Sequence, residues 1–129
     1  MIAPATELGL HTMPTRLTTA VPKLASLNLE RSIAFFERLG FSKVLMYPEY
    51  GIVERDGVQI HLWLCHDPQI PRATGCRINV EGIDELFVLY AAEGVIHPND
   101  PLSIKPWGLR EFSVLNADGN LVTFAEPPA

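Results

Sequence analysis

The sequence predicts an α+β fold built from two βαβββ modules, with curved mixed sheets and a helix on the outer face of each. Three observations predict it. Two amphipathic segments of equal length, "LERSIAFFERLGF" from Leu29 and "IDELFVLYAAEGV" from Ile83, each end in a glycine followed by an apolar residue. They lie 54 residues apart without a gap, so that Leu29 falls on Ile83, Ile33 on Phe87, Phe36 on Tyr90 and Gly40 on Gly94. Strand-like segments surround each helix in the same order, and Asp56-Gly57 and Asp118-Gly119 supply hairpin signals between them.

The elements follow in chain order. "LTTAVPKL", from Leu17 to Leu24, reads as the first strand. Asn28 suits an N-cap, because its side-chain oxygen can accept an otherwise unpaired N–H of the first turn. Glu30 sits beside the positive end of the helix dipole. Leu29, Ile33 and Phe36 share one helix face, and Gly40 suits a left-handed stop. "FSKVLMY", "YGIVER" and "VQIHLWLC" then read as three strands. In the second module "GCRINV" precedes the helix, whose packed face is Ile83, Leu86, Phe87, Tyr90 and Ala91, with Asp84 and Glu85 in its first turn. "VIHP", "LREFSVL" and "LVTFAE" complete the repeat, with "NDPLSIKPWG" as additional residues before the "LREFSVL" strand.

Side chains alternate across a strand, which assigns the faces. Ile60, Leu62 and Leu64 point toward the helix, whereas Gln59, His61 and Trp63 look into the concavity. Phe112, Val114, Val122 and Phe124 pack inward, leaving Glu111, Ser113, Leu121 and Thr123 on the concave side. An inner face that mixes aromatic, polar and acidic groups is suited to hold a small molecule. Trp107, between Pro106 and Gly108 at the mouth of a strand, is hard to bury and is presented on a restrained backbone.

Size and charge narrow the classes. The 129 residues, of which 47% are hydrophobic, fit one domain with its own core. Residues 1–16 read as a flexible extension and residues 17–129 as the domain, with modules at about 17–66 and 73–127. No apolar run approaches the roughly 20 residues of a membrane span. The first residues lack a signal-peptide pattern, which points to the cytoplasm. A net charge of −5 argues against nucleic acid as a partner. Cys65 and Cys76 form no CxxC pair and read as reduced thiols. No nucleophile elbow, dinucleotide fingerprint or P-loop is present, and no catalytic residues are assigned.

The stretches "AVPKLASLNLERSIAFFERLGF", "GVQIHLWL", "GIDELF" and "PWGLREFSVLNADGN" resemble the vicinal oxygen chelate superfamily of glyoxalases, extradiol dioxygenases and antibiotic-resistance proteins. The resemblance runs from about Leu17 to Glu126, and "AVP", "FFERLGFS" and "PWG…REF" are closest to its bleomycin-resistance branch. Enzymes of the superfamily hold a divalent metal at inner-face positions of the first and last strand of each module. The resemblance carries those positions onto Val21, His61, Gly75 (or its neighbour Cys76) and Thr123. Only His61 is a good ligand, so it implies no metal and no cofactor.

In the bleomycin-resistance branch, aromatic side chains in two clefts of a homodimer sandwich the planar part of the drug. Trp107 and Tyr50 match those aromatics, with His61, Trp63 and Glu111 around them; Val44 and Leu45 depart from the branch. Such dimers often exchange the first strand, and Pro22, which cannot donate to a ladder, suits a crossover. The resemblance thus implies a non-catalytic protein that sequesters a bleomycin-like antibiotic or another planar hydrophobic or cationic molecule. A metal-dependent lyase or dioxygenase-type enzyme, and a housekeeping member that binds an unknown metabolite, are the alternatives.

Overall fold

The computed structural model describes residues 14–128, so most of the expected extension, with His11 in it, lies outside the described residues. The elements are β1 (Lys23–Ser26), α1 (Leu29–Arg38), β2 (Ser42–Met46), β3 (Tyr50–Arg55), β4 (Val58–Leu64), a helical turn α2 (Gln69–Arg72), β5 (Gly75–Asn79), α3 (Ile83–Ala92), β6 (Ser103–Ile104), β7 (Arg110–Leu115) and β8 (Leu121–Glu126). They form two four-stranded mixed sheets with the same topology, β1-β4-β3-β2 and β5-β8-β7-β6. In each the outer strand runs parallel to the module's last strand and the rest is antiparallel. The repeated βαβββ module is therefore present twice.

Local chemistry explains most boundaries. Asn28 caps α1, its Oδ1 accepting the Arg31 N–H at 2.9 Å. Gly40 and Gly94, just beyond the two helices, both have positive φ, as a left-handed stop requires. Asp56 and Gly57 both take positive φ, the signature of a type I′ hairpin between β3 and β4. The second Asp-Gly pair behaves differently, for only Gly119 has positive φ. Asp118 is instead buried, and its carboxylate accepts the Leu27 N–H at 2.9 Å, the Ser32 hydroxyl at 3.3 Å and the Arg31 guanidinium. The β7–β8 turn thereby ties the second module to the start of α1.

A single apolar cluster runs through both modules. Leu29, Ile33, Phe36 and Leu39 meet Val53, Ile60 and Leu62 in the first, and Ile83 and Tyr90 meet Phe112, Val122 and Phe124 in the second. Tyr90 joins the halves, donating from its hydroxyl to the Leu39 carbonyl at 2.7 Å while Arg55 donates to that hydroxyl at 3.0 Å. Each helix lies on one face of its sheet and leaves the other face open. Among the described residues no helix is long and apolar enough to cross a membrane.

Four expectations are corrected. The first strand begins at Lys23 rather than Leu17; residues 14–21 form an exposed arm, and the ladder starts where the Pro22 carbonyl accepts the His61 N–H at 3.0 Å. "VIHP" is not a strand: Ile96 makes one bridge to Val114, and the chain then turns, with Asp100 N–H on the His97 carbonyl. Ser103–Ile104, inside the segment taken as additional, supplies the missing strand. Ala91 is exposed rather than packed, because α3 turns only Ile83 and Tyr90 fully inward, with Leu86 and Phe87 half-buried. Gly82 sits at the N-cap of α3 and offers no side chain; the Glu126 carboxylate of β8 caps the helix from a distance, accepting the Gly82 and Ile83 N–H groups.

Candidate functional site

The open face of the first sheet carries Tyr50, Glu54, Gln59, His61 and Trp63, all half-buried. Cross-strand pairing puts Tyr50 opposite Trp63, and Glu54 opposite Gln59. A chain of hydrogen bonds links four of them. The Tyr50 hydroxyl lies 2.7 Å from His61 Nδ1, His61 Nε2 lies 3.1 Å from Gln59 Oε1, and Gln59 Nε2 donates to Glu54 Oε1 at 2.8 Å. Because the Gln59 amide nitrogen faces Glu54, its oxygen faces His61, which assigns the ring proton to Nε2 and makes Nδ1 the acceptor for Tyr50. The two rings meet edge to face with centroids 5.5 Å apart.

The open face of the second sheet has a different character. Trp107 is 64% exposed, yet its Nε1–H donates to Glu111 Oε2 at 2.6 Å. Glu111 itself is 4% exposed, and the same oxygen accepts Arg77 Nη2 at 2.7 Å. Burial works to raise the Glu111 carboxyl, but the hydrogen bonds from Trp107 and Arg77 and the charges of Arg77 and Lys105 outweigh it and hold it below the usual carboxylate range. Beside it, Ser113 Oγ donates to Asp100 Oδ2 at 2.5 Å and lies 2.8 Å from Thr123 Oγ1, while Lys105 pairs with the other oxygen of Asp100. Asp100 also stays below its ordinary value, since Lys105 and Ser113 overcome its partial burial.

The structure thus presents Trp107 and half-exposes Tyr50, His61 and Trp63, but it keeps Glu111 beneath the indole with its charge already matched. Asp100, Lys105 and Arg77 join this face without having been anticipated. Arg77 was legible in part: it shares the open face with Thr123 by alternation along β5. Asp100 and Lys105 lie on irregular chain, where no periodicity points to them. No hydrogen bond or ring contact among the described residues links the Tyr50–His61 chain to the Trp107–Glu111 cluster; they stand on separate sheets.

The metal-ligand positions do not fit an ion. Val21 lies outside β1, and Lys23 is the residue that pairs with His61. Gly75 has no side chain to offer, and a Cβ there would lie 2.1 Å from the Leu121 carbonyl oxygen. The partner of Thr123 is Arg77, a cation, and Cys76 pairs with Val122 on the helix side. Both nitrogens of His61 are already engaged. Among the described residues no three His, Cys, Asp or Glu side chains converge to hold a metal.

A shallow cavity of about 420 Å³ on the second sheet is lined by Arg72, Thr74, Arg77, Leu121 and Thr123. A larger one of about 1060 Å³ lies between the modules, over Phe41, Val58, Tyr90 and Phe124, and neither Tyr50 nor Trp107 lines it.

No protein-family model matches the chain. Bleomycin resistance proteins of Geobacillus stearothermophilus and Staphylococcus aureus are 33% identical to it over 123 residues, covering 81% of this chain and 93% of theirs. Among solved structures, a bleomycin-binding protein complexed with bleomycin superposes with a TM-score of 0.76 at 21% identity, covering 87% of this chain and all of its own. The bleomycin resistance determinant encoded on transposon Tn5 gives 0.76 at 21% identity over 88% of this chain and all of its own. A glyoxalase-related enzyme from Clostridium phytofermentans gives 0.71 at 21% identity over 89% of this chain and 98% of its own. These structures share the fold, and the sequence relatives decide the family: the chain belongs to the bleomycin resistance protein family.

Proposed function

We propose that this protein binds and sequesters a bleomycin-like antibiotic, or another planar hydrophobic or cationic molecule, without transforming it. The observation that carries the reading is Trp107: an indole 64% exposed, anchored by its N–H edge and offering its ring faces. Its bleomycin resistance relatives support the antibiotic as ligand. A flat aromatic ligand gains roughly 0.5–1.5 kcal/mol from each ring it stacks on, beyond the area buried. A cationic group over the indole adds about 0.5–2 kcal/mol. Protection then follows from mass action, because ligand held by the protein is withdrawn from its target. The donor set at the metal positions of the superfamily, Val21, His61, Gly75 and Thr123, fits no metal.

Each cleft, in this reading, is completed by a second subunit, which brings the Tyr50–His61–Trp63 face of one chain over the Trp107 face of the other. The exposed arm of residues 14–21 supports this, since it carries strand-forming residues with no ladder in its own chain. We place the protein's action in the cytoplasm. Sedimentation should find a dimer, and deletion of residues 1–20 should shift it to monomer and weaken binding; a monomer that binds at full strength removes the shared cleft.

Titration with bleomycin, followed by tryptophan fluorescence and calorimetry, tests the ligand. One site per subunit is expected. Trp107→Ala should weaken binding by roughly 2–3 kcal/mol from lost stacking and buried area, about 30- to 150-fold in Kd. An unchanged isotherm removes Trp107 from the site, and a stoichiometric bound Zn, Mn, Ni or Fe ion in the purified protein favours the metal-dependent enzyme.

A further inference from the structure

The indole of Trp107 is exposed but not free to turn. Its backbone sits in a tight turn, with the Lys105 N–H on the Leu109 carbonyl at 2.8 Å, the Gly108 N–H on the Lys105 carbonyl at 2.9 Å, and φ of +90° at Gly108. That turn fixes the main chain, but it leaves the two side-chain torsions of the tryptophan open. What fixes the ring is the 2.6 Å bond from its N–H to Glu111 Oε2.

Glu111 is an unusual anchor. It is buried on the open side of β7, opposite Ala125, where an apolar residue would avoid the cost of desolvating a carboxylate. The charge is retained by Arg77, which reaches across from β5 to the same oxygen at 2.7 Å. Lys105, Arg77 and Trp107 face Glu111 from the turn before β7 and from β5; Asp100, the other acid nearby, is occupied by Lys105 and Ser113. Two separate segments, the turn before β7 and β5, therefore converge on one carboxylate of which the indole is the more exposed hydrogen-bond partner.

We propose that Glu111, held in place by Arg77, is a positioning residue for ligand stacking: it fixes the plane of Trp107 before the ligand arrives. The inference rests on the stacking role assigned to Trp107 above. Without the anchor the indole explores several rotamers, and the ligand must order it on binding, which weakens affinity by an amount on the order of fivefold. The carboxylate itself does not touch the ligand. Because the anchor is an ionised group with its proton affinity held down, stacking survives to pH values below the ordinary carboxylate titration.

Two readouts test this on the full-length protein. The indole N–H resonance of Trp107, identified by its disappearance in Trp107→Phe, reports the anchor without any ligand. The bleomycin titration reports its consequence. In Glu111→Ala, and more weakly in Arg77→Ala, the resonance should move toward the free-indole position and exchange faster with water. Bleomycin affinity should fall about fivefold. Glu111→Gln keeps an oxygen that accepts the indole N–H, so it should restore the resonance and most of the affinity.

A resonance indifferent to Glu111→Ala overturns the anchor. Affinity lost while the resonance is retained overturns the positioning role, because Glu111 would then touch the ligand. A resonance lost at unchanged affinity also overturns it. If Glu111→Ala does not fold, the Arg77→Ala and Glu111→Gln pair carries the same test. Failure of the wild type to bind bleomycin counts against the proposed ligand, and the resonance still decides whether Glu111 holds the ring.

Discussion

At the scale of single residues, burial and pairing decide which reactive side chains are available. Cys76 faces the helix side of its sheet, and burial pushes its thiol up to about 11. Since the thiolate is the nucleophile, its reaction with iodoacetamide at pH 8 should run roughly two hundredfold slower than that of a free cysteine of pKa about 8.5. Peptide mass mapping should show Cys76 labelling only as the chain unfolds; rapid labelling of the folded protein would contradict its placement. Cys65, buried and bonded to the Asp67 backbone, should be protected as well. His61 illustrates the same logic for binding. Gln59 and Tyr50 hold its two nitrogens, and what remains for a ligand is the rim of a polar chain.

At the scale of elements, close approach explains a glycine that composition cannot. Gly75 opens β5 in parallel register with Leu121, and a Cβ there would press on the Leu121 carbonyl oxygen. Gly75→Ala must spread the β5–β8 pair, so it should cost about 1–3 kcal/mol, seen as a lower urea midpoint with an unchanged slope. An unaltered midpoint would mean that the ladder gives easily. Much of the element plan was legible. Asn28, Gly40, Asp56-Gly57 and the alternation along β4, β7 and β8 act through neighbours a few residues away. The β6 strand was not legible, because two residues, Ser103 and Ile104, carry no period. Nor was the cap of α3, since Glu126 reaches it from 44 residues away in sequence. The first strand was overextended because "LTTAV" has strand chemistry but no ladder within its own chain.

At the scale of the whole molecule, three carboxylates among the described residues are held below their ordinary range. Arg110 does this for exposed Asp84 by a hydrogen bond. Asp100 and Glu111 are held down by their partners against the opposing effect of burial. A carboxylate with a lowered value in the folded state stabilises above its unfolded titration, and that contribution disappears as pH falls through the folded value, because the unfolded chain binds more protons. The urea midpoint should therefore stay level from pH 7 to about 5 and decline below about pH 4. Glu111→Gln and Asp100→Asn should each flatten the decline. Asp84, screened by solvent and salt, should matter least. A midpoint that rises on acidification would reverse the sign and refute the pairing.

The sequence by itself determined the duplicated module, the two helices with the Asn28 cap of the first and the glycine stop of each, the direction of alternation along β4, β7 and β8, and the exposure of an indole trapped between proline and glycine. Those follow from interactions between residues close in the chain, where period, capping and turn chemistry act. Only the tertiary structure decided that Glu111 lies buried and accepts the Trp107 N–H, that Arg77 and Lys23 occupy the rows beside Thr123 and His61, and that Asp118 joins the modules. These depend on strand register and on which partners meet across tens of residues. A shift of one position in register moves every side chain to the opposite face, and no local pattern reports that choice.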